Sequence, residues 1–261
     1  MFGMILIYTS IILTSSIIGT IFLPKVIHKY EHYLHYVNSF SGSVLFSTAL
    51  IHLLPELSEY HLSEYPYHMV FVTSSFLLLM FLEKYIFHIH HHTVEIDSNI
   101  SELTTNIITV LAISAHSFIA GISLGLSDSN KELNTIFISI ISHKIFAAYA
   151  IGCKLYNSKS WNYYIPTTIF ILITPIGVIV GYFINDVSEW CSLILESISC
   201  GTFLYIGSTD IIEEHEIQHH NSNDTHHRCS NTKLNKYGLM LSIILGVVFI
   251  SLINIQQDQE H

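Results

Sequence analysis

Two histidines lie in stretches of sequence that hold almost nothing else able to ionise. His116 sits in "AISAHSFIAGISLGL", residues 112–126, a run without Asp, Glu, Lys or Arg, and His143 sits in "ISHKIFAAYAIG" with only Lys144 as a charged companion. Neutral imidazoles suit borderline-soft divalent ions such as Zn2+ or Fe2+, whereas Mg2+ and Ca2+ prefer oxygen. A third histidine, His52, precedes Glu56 by four residues in "ALIHLLPE". That spacing stacks the two side chains on one helix face, where they suit a single cation. Pro55 between them cannot donate a backbone hydrogen bond, so the Ile51 carbonyl becomes a further oxygen near the same level. Plainer readings exist for each: a helix-end histidine beside an ordinary kink for His52, and an interhelical hydrogen bond for His116.

The elements that must position these residues are set by the bilayer. Half of the 261 residues are hydrophobic and 11% are charged, against roughly 25% charged in an average soluble domain. The apolar residues come in blocks at 2–23, 40–57, 67–87, 103–126, 133–153, 163–184, 190–212 and 237–255. Each has about the 20 residues needed to cross ~30 Å of hydrocarbon as a helix. The expected fold is an all-α membrane protein, with eight transmembrane helices in one bundle and one domain over 1–261. The first block lacks a basic segment before it and a small-x-small cleavage site after it, so it reads as a spanning helix and not as a secretory signal. Gly121 and Gly125 give the fourth block a small-x-x-x-small pattern through which a neighbouring helix can approach closely.

Loop charge orients the bundle. Eight of the ten Lys and Arg residues fall after the first, fifth and seventh blocks or, as Lys84, at the end of the third. By the positive-inside rule those loops are cytoplasmic and both termini non-cytoplasmic. The same loops hold twelve of the 18 histidines. Histidine-rich loops at about 88–102 and 213–235 follow the third and seventh blocks, and His88, His90, His91 and His92 are candidates for loop metal contact. "HEIQH" (His215, Glu216, His219) matches the zinc-peptidase pattern, but it falls where the seventh block gives way to a histidine-rich tract that produces such matches by chance. Cys153, Cys191, Cys200 and Cys229 form no C-x-x-C pair and read as small hydrophobes. No P-loop motif is present in the sequence, and nothing in it points to nucleic acid.

At these residues the chain resembles the ZIP (Zrt-, Irt-like) family of divalent metal transporters. The resemblance rests on four segments in order: "FSGSVLFSTALIHLLPE", "HSFIAGISLG", "HKIFAAYAIG" and "SCGTFLYIGSTDIIEE". It implies that His116, Ser117 and His143 line a transport site and that Lys144 occupies a position forming a second metal site in some members. Many members have glutamate four residues after each of the two histidines; here those positions are Ala120 and Ala147. Charge for one bound cation must then come from Glu56, Asp210 or Glu196. Together with His52, Glu56 and Asp210 complete the expected metal set.

The expected function is transport of Zn2+ or Fe2+ into the cytosol by alternating access, with no resident cofactor, the metal being cargo. A plasma membrane location is expected, with an organelle membrane as the alternative, and a homodimer is compatible with the sequence. The acidic ends of "HLLPE" and "DIIEE" lie in oppositely directed helices, as in an inverted repeat. Two alternatives use the same histidines: an intramembrane metal-dependent hydrolase, which would need a general base where Ala120 and Ala147 stand, and a metal sensor that binds without moving ions. Only transport requires flux.

Overall fold

Apolar runs of bilayer length leave the backbone one way to satisfy its own hydrogen bonds, and here they form helices throughout. The structure, a computed structural model, describes residues 2–60, 64–90, 98–156, 160–184, 187–220 and 236–258, and no strand occurs among them. Eight helices follow one another: α1 (Phe2–Lys29), α2 (Tyr33–Ser58), α3 (Tyr67–His90), α4 (Ser98–Leu126), α5 (Asn130–Leu155), α6 (Ser160–Phe183), α7 (Glu189–His220) and α8 (Lys236–Asp258). Six of them are long and apolar enough to cross a membrane, and the apolar parts of α3 and α4 run over Tyr67–Leu82 and Ile113–Leu126. Several helices overrun the apolar blocks: α4 begins at Ser98 and α7 continues as helix to His220.

The helices pack as two groups. In one, α4 lies against α6 along the most extensive contact of the molecule, with α1 and α5 beside them. A Cβ at Gly121 or Gly125 would run into the backbone of α6 at Thr174 or Val178, and one at Gly177 or Gly181 would run into that of α4 at Phe118 or Ile122. The small residues of α4 are thus answered by a Gly-x-x-x-Gly pair on α6, and the two backbones touch. In the other group α7 packs on both α2 and α3, and α8 packs on α2. The groups meet along α2 with α5 and along α4 with α7. Apolar side chains fill each side, Ile12, Leu124, Leu133 and Val178 in the first and Leu45, Leu57, Phe203 and Ile206 in and around the second.

Two helices contain a widened turn just before a proline. The backbone N–H of Leu23 reaches five residues back to Ile18, and that of Leu54 five back to Ala49. Each turn carries one residue more than α-helical winding and so relieves the clash a proline ring makes with the carbonyl four residues earlier. Those carbonyls, Thr20 for Pro24 and Ile51 for Pro55, each accept from a side chain of another helix: Tyr163 Oη at 3.0 Å and Asn254 Nδ2 at 2.7 Å.

The hairpin from α4 to α5 is closed by local chemistry. Ser129 caps α5 by accepting the Glu132 amide at 3.2 Å, and the Glu132 carboxylate accepts the Asp128 amide at 3.1 Å, a capping-box-like pair whose return bond reaches one residue before the N-cap. This short connection holds α4 and α5 antiparallel and brings the middles of both helices to one depth.

Candidate metal site

His116 and His143 meet at that depth. Their Nε2 atoms are 3.1 Å apart, and both rings are buried, 7% and 3% exposed. One ring donates and the other accepts, so the pair shares a single proton between the two facing nitrogens. Two imidazole nitrogens at ~2.05 Å from a tetrahedral zinc ion stand about 3.3 Å apart. The pair is therefore within a few tenths of an ångström of that spacing, and an entering ion would replace the shared proton. Among the described residues neither Nδ1 meets a hydrogen-bond partner, and an unpaired buried polar atom is costly to the fold. Phe203 of α7 packs edge-on to both rings, at 5.0 and 5.7 Å between centroids, and closes the site from that side.

A cavity of about 820 Å³ extends from the histidine pair to the ends of α2, α4 and α5, where Glu59, Ser129 and Lys131 line it. His52 and Glu56 lie along its wall with their nearest atoms 3.8 Å apart, and His52 Nε2 is 2.5 Å from Ser139 Oγ of α5. The rings of His52 and His143 are 6.5 Å apart, centre to centre. Polar groups thus run in series from the cavity mouth to its floor: Glu56, His52, Ser139, then His143 and His116. Glu196 lines the same cavity and accepts a hydrogen bond from Tyr60 Oη at 3.2 Å. Tyr60 lies beyond the end of α2, and burial together with the neighbouring Glu196 carboxylate pushes its phenol pKa up.

The remaining sequence candidates lie elsewhere. Lys144, 2% exposed, donates to Ser117 Oγ at 2.8 Å and Thr174 Oγ1 at 3.0 Å, with its Nζ 4.1 Å from the centre of the Phe170 ring. Neither Ser117 nor Lys144 lines the cavity. Asp210 of α7 stands against Gly42 of α2, also away from the cavity. The Ile51 carbonyl, expected as a spare oxygen, is engaged by Asn254. Ala120 lines the cavity one turn beyond His116, and Ala147 is buried in the core. His88 and His90 end the helical backbone of α3, their side chains outside the description, and His91 and His92 lie outside the described residues. Among the described residues no three His, Cys, Asp or Glu side chains converge closely enough to enclose an ion.

Sequence reasoning passed over Ser139, Phe203 and Asn254. Ser139 precedes His143 by four residues, a same-face spacing that was there to be read, and Asn254 is an amide in an otherwise apolar block.

A family model of ZIP zinc transporters matches residues 2–105 and 95–254, nearly the whole chain. The chain belongs to the ZIP family. Zinc transporter ZIP1 of Danio rerio is 23% identical over 232 residues, covering 70% of this chain and 76% of that protein. Zinc transporter 11 of Arabidopsis thaliana is 25% identical over 212 residues, covering 66% and 64%. Protein zntD of Dictyostelium discoideum is 32% identical over 145 residues, which make up 52% of this chain and only 21% of that protein. As a ZIP protein with six strongly apolar long helices, the chain is a multi-pass integral membrane protein.

Proposed function

We propose that this ZIP protein carries a divalent metal ion, zinc before iron, across the membrane into the cytosol, and that His116 and His143 hold the ion midway. The observation that carries the reading is the pair of buried Nε2 atoms facing each other at 3.1 Å on the floor of a cavity that reaches the helix ends. The relatives named zinc transporters support the choice of zinc, as does imidazole as the facing donor. His52 and Glu56 serve as the way in, and Glu56 and Glu196 offer carboxyl oxygens along it. By loop charge the cavity mouth lies on the non-cytoplasmic face, which makes this an outward-open arrangement. Release then requires the seams between the two helix groups to rearrange, since Phe203 and the α2–α5 contact close the other side. Ala120 leaves no general base one turn from His116, which favours passage over hydrolysis.

Radioactive zinc uptake into proteoliposomes holding the purified protein tests this. Saturable uptake above protein-free vesicles is the expected result. Zinc binding without uptake would assign the protein to the sensor class and overturn the proposal.

A further inference from the structure

α8 turns most of its surface outward: Met240, Leu241, Ile244, Leu245, Val248 and Leu252 are exposed. Asn254 departs from this pattern. It lines the cavity, and its amide donates to the carbonyl of Ile51 in the neighbouring helix. That carbonyl belongs to the widened turn of α2, residues Thr48–Leu53, which contains His52 and leads into Pro55 and Glu56. The turn is held from a second direction as well, since Cys200 Sγ of α7 lies 3.5 Å from the Ala49 carbonyl. A turn with one extra residue has a choice of winding; were it to tighten, every residue beyond it would swing by about 100° around the helix axis. Glu56 would then leave the cavity wall, and His52, inside the turn, would be displaced from its place beside Ser139.

We infer that Asn254 is a positioning residue for the metal path: by donating its amide to the Ile51 carbonyl it holds the widened turn of α2 in the winding that keeps His52 and Glu56 facing the cavity. This rests on the reading that metal enters through that cavity. The donor is needed because Pro55 cannot supply one and the nearby Ser251 hydroxyl of α8 is spent on the Val247 carbonyl of its own helix. The turn in α1 provides an internal comparison. Tyr163 donates to the Thr20 carbonyl in the same manner, but neither residue lines the cavity.

Two readouts test the inference. In a Cys191→Ser, Cys229→Ser background, which removes the exposed thiol among the described residues and the cysteine outside them, a Glu56→Cys reporter is labelled with a small charged methanethiosulfonate. Adding Asn254→Leu, or Asn254→Ala should the leucine variant not insert, lowers the labelling rate at least fivefold, and Asn254→Gln, which keeps the amide donor, restores most of it. In zinc uptake, with Glu56 intact, Asn254→Leu raises KM about five- to tenfold with Vmax within twofold at matched protein, while Tyr163→Phe leaves KM within twofold. Unchanged labelling and KM in both Asn254→Leu and Asn254→Ala would show that cavity water caps Ile51 equally well and would overturn the inference. So would failure of Asn254→Gln to restore labelling. If the wild-type protein shows no uptake, the transport reading fails and the labelling series alone decides Asn254.

Discussion

Lys144 places an amine able to carry a positive charge in the apolar interior, with two hydroxyls and a phenyl face around it and, among the described residues, no carboxylate paired to it. It is one residue from His143 and one hydrogen bond from Ser117, so its charge opposes a metal ion held by His116 and His143. At an effective dielectric of ~20, like charges about 10 Å apart repel by about 1.7 kcal/mol per unit charge. Lys144→Met keeps the stem and removes the charge; buried charges replaced in this way are often neutral or stabilising for the fold. We expect at least tenfold tighter zinc binding by equilibrium dialysis and slower turnover in uptake; unchanged affinity would mean the ammonium is not felt at the site. The residues that sequence reading could single out were those whose presence in hydrocarbon is expensive, His116, His143 and Lys144. Ser139 escaped because hydroxyls are ordinary in membrane helices, where they return to a carbonyl of the preceding turn, as Thr9, Ser10 and Thr14 do here. Only the fold shows that the Ser139 hydroxyl meets His52 instead.

Between elements, the contact of α4 with α6 decides where His116 stands. Each of its four glycines meets opposing backbone, which cannot move aside as a side chain can. Gly177→Val is expected to cost on the order of 3 kcal/mol, the upper part of the range for overpacking, and to appear as a lower melting temperature in detergent and reduced membrane abundance. Gly3→Ala, with nothing within 4 Å of its Cβ, should match the wild type. The helices themselves were legible because the bilayer demands runs of about 20 apolar residues, and the closeness of α4 to a neighbour was legible in Gly121 and Gly125. The identity of that neighbour was not, since glycine spacing carries no address. Nor were the widened turns before Pro24 and Pro55 legible: one extra residue in a uniformly apolar helix leaves the hydrophobic pattern unchanged. That insertion sets which way His52 and Glu56 face.

For the whole molecule, orientation follows from loop charge and access from the cavity, and the two can be checked together. Cys191 is exposed near the start of α7 and Cys200 is buried, and the start of α7 lies on the face assigned as non-cytoplasmic. A membrane-impermeant maleimide applied to that face should label the wild type and not Cys191→Ser; labelling of Cys191 only from the cytoplasmic side would invert the topology and make the cavity an exit. Asp210 shows the limit of placing a site from sequence: its acidic cluster pointed to the metal path, but it packs against Gly42 while Glu196, a carboxylate with no motif around it, lines the cavity. In the proposed transport cycle one ion passes between His116 and His143. Zinc uptake into proteoliposomes by His116→Ala, His143→Ala and the double variant, compared at equal inserted protein, tests it most directly. Ligands acting as a unit are non-additive, so each single variant should lose at least 90% of the flux, about 1.4 kcal/mol or more of barrier, and the double variant should be little worse than either. Near-normal flux in either single variant, with the protein folded and inserted, would contradict the claim.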